Sequence, residues 1–85
     1  MHNERGKILW IDDEIDHLKP HILFLEEKGY KISTSDNGQN GVLKCKEEVF
    51  DLILLDQFMP DIDGIEVLKE IKESNPVLPV IMITK

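Results

Sequence analysis

Hydrophobic and polar positions alternate between two regimes along this chain. Lys7–Ile11, Asp51–Asp56 and Pro79–Thr84 are short apolar runs without helical periodicity. Runs of that length and composition read as strands buried on both faces. Tyr30–Thr34 alternates in polarity instead and suits a short edge strand. Between the strands the spacing changes. Over Ile15–Lys28, the residues Ile15, Leu18, Ile22 and Leu25 recur every three or four positions, as on one helical face. Pro20 interrupts this pattern, which fits either a place in the helix's first turns or a kink. Gly29 closes the helix.

A weaker helix over Asn40–Val49 would turn Val42, Leu43 and Cys45 inward. Gly41 lowers its helical preference by about 1 kcal/mol relative to alanine. The clearest helix runs from Ile65 to Ser74, with Ile65, Leu68 and Ile71 inside and Lys69, Glu70, Lys72 and Glu73 outside, and Asn75-Pro76 ends it. The order βαβαβαβ is the signature of a parallel sheet with helical crossovers. We read residues 1–85 as one domain, since a chain this short holds no more.

Composition narrows the class. The formal net charge of −7 argues against a nucleic-acid face, because phosphate backbones select basic surfaces. No apolar segment is long enough for a membrane span and no signal-peptide pattern precedes Lys7. Cys45 is the single cysteine, so no disulfide framework exists. These features predict a soluble, reduced, cytoplasmic domain.

The candidate chemistry lies at the strand ends. Asp56 closes the Asp51–Asp56 run, at the carboxyl end of a central strand, where open α/β sheets place their ligands. Pro60 and Gly64 fix the loop that follows. Asp12-Asp13 follow the first strand and Thr84 ends the fourth. All carboxyl ends of a right-handed parallel sheet share one edge. If the first and third strands are neighbours, three carboxylates gather there and repel one another. A hard divalent cation, Mg²⁺ before Ca²⁺, would resolve that repulsion.

Plainer readings stand beside this one. Asp12-Asp13 alone would also serve as a helix cap with a first-turn acid, worth about 1 kcal/mol. Asp61 and Asp63 read as solvated or capping residues. His17 and His21 have the i, i+4 spacing of a metal pair, but no third ligand accompanies them and Pro20 sits between. Cys45 reads as a small buried hydrophobe.

Taken together and in order, ILWIDDE, LLDxxMPDxDG and PVIMIT resemble a response-regulator receiver domain, the phospho-accepting half of two-component signalling. The likeness spans Lys7–Lys85. The run ILWIDDEIDHLKPHILFLEEKGY with the terminal ITK is similar, more narrowly, to PorX-type regulators, which join a receiver to a phosphatase-like output domain. The resemblance implies a flavodoxin-like (CheY-like), doubly wound parallel sheet of strand order 2-1-3-4, with the fifth strand and its flanking helices missing. It implies that Asp56 takes a phosphoryl group from the phosphohistidine of a sensor histidine kinase. Asp12, Asp13, Asp56 and the backbone carbonyl of Phe58 would hold Mg²⁺. The hydroxyl of Thr84 would bind a phosphoryl oxygen and move its loop, switching an output domain that this chain does not contain. No nucleic-acid or membrane contact is implied for this domain, nor any enzymatic activity beyond phosphotransfer to itself. Two features depart from the family pattern. Lys85 stands where a small residue usually follows the threonine, and the family's phosphate-contacting lysine, at the end of a fifth strand, has no counterpart here.

Rival classes fit less well. A haloacid-dehalogenase-type, Mg²⁺-dependent aspartyl phosphatase wants a second acid two residues after its nucleophile, and Phe58 occupies that position. A flavodoxin-like FMN binder needs a glycine- and hydroxyl-rich phosphate loop after the first strand, where this chain has Asp12-Asp13-Glu14. A pseudo-receiver acting only as an association module leaves the acidic trio without a purpose. Association has its own motive, however. In order 2-1-3-4 the apolar Val80–Thr84 strand is an edge, which invites self-association, and Ile8, Trp10 or Leu54 would lie bare on the face that a last helix covers.

Overall fold

The computed structural model describes residues 5–84. Its elements are β1 (Gly6–Ile11), a 3-10 turn (Ile15–Leu18), α1 (Lys19–Glu27), β2 (Tyr30–Ser35), α2 (Gly38–Glu47), β3 (Leu52–Asp56), α3 (Gly64–Ser74) and β4 (Val80–Ile83). Every strand pairs in parallel, in the expected order β2-β1-β3-β4. Pro20 occupies the second position of α1, so the first of its two options holds. Its missing N–H costs nothing there, because the opening N–H groups of a helix have no partner within it.

One face of the sheet carries the core. Leu9 and Ile11 from β1 and Ile53 and Leu55 from β3 pack with Val42, Val67 and Ile71 from the helices, and Phe50, Met59 and Leu78 from the connections complete the cluster. Two expected inward residues are not part of it. Leu43 is exposed and Ile65 is 41% exposed. The buried positions of α2 are Gly38, Gly41 and Val42, and those of α3 are Gly64, Val67 and Ile71. Each stripe begins on a glycine, which a hydrophobic pattern does not register, so both helices lie slightly out of the expected phase.

The opposite face takes Ile8 and Trp10, since side chains alternate along a strand. Both are buried, contrary to the expectation that this face lies bare, while Leu54 is half-buried and Ile81 on β4 is 52% exposed. Among the described residues, no helix is long and apolar enough to cross a membrane.

Candidate functional site

Parallel pairing sets the site's geometry before any side chain is considered. Ile11 is level with Leu55, and Asp56 with Ile83. Asp12 therefore emerges from the sheet beside Asp56, and Thr84 follows one step beyond the partner of Asp56. The backbone N–H of Asp12 donates to the carbonyl of Ser35 at 3.0 Å, tying the end of β1 to the end of β2.

The structure brings the three acids together. Asp12, Asp13 and Asp56 each present a carboxylate oxygen, all within 4.8 Å of one another. Asp12 is 0% and Asp56 2% exposed, whereas Asp13 is open to solvent. Buried like charges so close repel strongly unless a cation lies among them. The donor set fits a small hard ion. Three carboxylate oxygens gathered at one point are the hard, anionic donors that Mg²⁺ prefers.

Local hydrogen bonds aim two of these carboxylates. Asp12 Oδ1 accepts the N–H of Glu14 at 2.9 Å, so this acid shapes the turn after β1 and does not cap a longer helix. Asp56 Oδ1 accepts the N–H of Phe58 at 3.3 Å, which folds the loop back over the strand end. Gln57 extends the sheet through its N–H to the carbonyl of Ile83, at 3.0 Å, and its own carbonyl accepts the N–H of Gly64 at 2.8 Å.

Gly64 is required by that return. A Cβ there would stand 2.6 Å from the carbonyl oxygen of Asp56 and 2.7 Å from the Cα of Gln57. Backbone atoms so placed do not yield as a flexible side chain would. The loop is also pinned from within. Met59 is buried in the core, while the Phe58 side chain faces solvent. Asp63 caps α3, accepting the N–H of Ile65 at 2.8 Å.

Thr84 is exposed at the end of β4, and Lys85 lies outside the described residues. His17 and His21 are both exposed, and neither belongs to the acidic group.

Asp61 is expected among solvated or capping residues, with no helix assigned to it. It caps α2, not α3, accepting the N–H groups of Gly38 and Gln39 at 3.2 Å each. Partial burial pushes the Asp61 carboxyl up, but these backbone donors, with those of Ile62 and Asp61 itself, outweigh it and hold the group below the usual aspartate range. Only the tertiary fold brings positions 61 and 38 together, so no local signal marks the pair.

A parallel sheet in this order, with acids gathered at the carboxyl ends of its two central strands, defines the class as a doubly wound, flavodoxin-like α/β domain with an acidic site at its sheet edge. The chain belongs to the response regulator receiver domain family, whose model matches residues 8–85. It is 43% identical over 84 residues to the transcriptional regulatory protein ZraR of Klebsiella oxytoca, covering 99% of this chain and 19% of that protein. To the transcriptional regulatory protein ResD of Bacillus subtilis it is 42% identical, covering 92% of this chain and 32% of the relative. The chain thus spans only a fifth to a third of the length of these two relatives. Among solved structures, the response regulator protein TrrA of Thermotoga maritima, in complex with Mg(2+)-BeF, superposes with a TM-score of 0.85 at 36% identity. That match covers 92% of this chain and 68% of TrrA.

Proposed function

We propose that Asp56 is the phosphoryl acceptor of this receiver and that Asp12, Asp13, Asp56 and the Phe58 carbonyl form its Mg²⁺ site. The observation that carries this reading is the buried Asp56 carboxylate, standing with two other acids at the carboxyl edge of the sheet. The Mg(2+)-BeF complex of TrrA supports it by likeness.

In the step itself, an Asp56 carboxylate oxygen attacks phosphorus on the phosphohistidine of a sensor histidine kinase. The new O–P bond forms as the N–P bond breaks, and the histidine nitrogen leaves with the electron pair. Bound Mg²⁺ would offset negative charge on the transferring phosphoryl group. The Thr84 hydroxyl then donates to a phosphoryl oxygen, drawing the end of β4 inward and biasing a two-state surface that an output domain reads. Transfer is self-directed and turns over no external substrate. The setting is cytoplasmic, the output domain lies in the full-length polypeptide, and a phosphatase-like one would accompany a PorX-type receiver.

With a small phosphodonor and Mg²⁺, the full-length polypeptide should gain one base-labile phosphoryl group, absent from Asp56→Asn. Label on histidine or serine, or label that persists in Asp56→Asn, would overturn the assignment.

A further inference from the structure

The acidic trio has one partner element that takes no direct part in it, the N-terminus of α2. Its opening N–H groups are satisfied from two directions. The N-cap Asn37 serves its own helix, its side chain accepting the N–H of Asn40 at 2.8 Å. The two N–H groups before that, on Gly38 and Gln39, donate instead to Asp61, a residue of the loop that carries Phe58. A carboxylate at this end is also favoured by the helix dipole. Close packing reinforces the join. A Cβ on Gly38 would fall 2.2 Å from Ile62 Cγ2 and 2.7 Å from Val67 Cγ2, so the helix start presses directly on the loop.

The same helix start is tied to the other side of the site. The buried Ser35 hydroxyl lies 2.8 Å from the carbonyl of Asn37 and 2.9 Å from Asn40 Oδ1, and the Ser35 carbonyl accepts the N–H of Asp12. A continuous path therefore runs from Asp12 through Ser35, the start of α2 and Asp61 to Phe58, whose N–H meets Asp56. Two side chains reach across from other elements to the start of α2, Ser35 from the end of β2 and Asp61 from the loop that carries Phe58.

We infer that Asp61 is a positioning residue for the acidic site, holding the Phe58 loop at the spacing from Asp12 that the cation requires by fastening it to α2. The inference rests on the Mg²⁺ reading of the site given above. Loss of the carboxylate frees Gly38 and Gln39 from the loop, and the Phe58 carbonyl then samples positions away from Asp12. Groups that hydrogen-bond a metal ligand directly change its affinity by about 10–100-fold when removed, and Asp61, which acts through the loop backbone, belongs at the low end of that range.

The test is calorimetric titration of MgCl₂ into wild type, Asp61→Ala and Asp61→Asn, at a temperature where each is folded, with hydrogen exchange read at Gly38 and Gln39. Asp61→Ala should raise the Mg²⁺ Kd about tenfold and speed exchange at both amides. Asp61→Asn, which keeps an acceptor oxygen but no charge, should fall between it and wild type, and it carries the test alone if the alanine variant does not fold. Faster exchange with an unchanged Kd in the variants would reduce Asp61 to a helix cap and overturn the inference. Wild type that binds no Mg²⁺ would instead overturn the underlying site, an outcome distinct from the first because it appears before any variant is made.

Discussion

At the scale of single residues, burial decides what each polar or reactive group can do. Asp13 and Asp56 differ in exposure, yet both stand in the trio whose mutual repulsion a cation would relieve. Mg²⁺ that binds only the folded chain stabilises it by mass action, by about 2.7 kcal/mol at a hundredfold excess over Kd. Thermal melts should therefore shift upward with Mg²⁺ in wild type and much less in Asp13→Asn and Asp56→Asn. Equal shifts in all three would remove the acids from the site. Cys45 is governed by the same physics with the opposite result. Its thiol packs against the core, and burial pushes its pKa up to about 11. At pH 8 the reactive thiolate is then scarce. Iodoacetamide should label the folded protein far more slowly than the urea-unfolded chain, and equal rates would contradict the packing.

At the scale of elements, the phase of each helix separates what the sequence displayed from what it hid. The short apolar runs predicted three of the strands, polar alternation over Tyr30–Thr34 predicted the fourth, and the segments between them predicted the three helices. The inward faces were less visible, because Gly38, Gly41 and Gly64 hold buried positions without adding hydrophobicity. Ile65 was expected inside on its spacing from Leu68, but Val67 and Ile71 set the actual face of α3. Alanine replacements separate the two phases. Ile71→Ala empties a fully buried site and should cost about 2–5 kcal/mol. Ile65→Ala touches an exposed side chain and should change stability by about 0.5 kcal/mol or less. Urea denaturation of the two variants makes the comparison, and similar losses would restore the expected phase. The α2–loop join was out of reach for another reason. Local patterns reveal a capping residue near its own helix, whereas Asp61 lies 23 positions after Gly38.

At the scale of the whole molecule, the site was legible because a parallel sheet converts sequence order into spatial order. Once strands end in Asp12 and Asp56 and run the same way, their acids share an edge without further instruction. What the pattern did not reveal was how the opposite face is covered. Trp10 and Ile8 are buried despite the expectation of a bare surface, and Ile81, on the edge strand β4, is one of the exposed apolar residues. Among the described residues the outer side of β4 has no pairing strand, and such an edge promotes association with a second chain. Light scattering on the 85-residue chain should show dimers or larger species that grow with concentration. A monodisperse monomer across that range would show that the edge is tolerated.

The central place of β1 has a further consequence for how the chain comes to be folded. β1 is made first, but Tyr30 is needed to begin its pairing on one side and Leu52 on the other. Until β3 arrives, the nascent chain owns only two paired strands, an arrangement with little stability of its own. The strand that completes the flanking of β1 is the same strand that ends in Asp56. Synthesis therefore delivers the proposed acceptor and the stabilising partner of β1 in one segment of five residues.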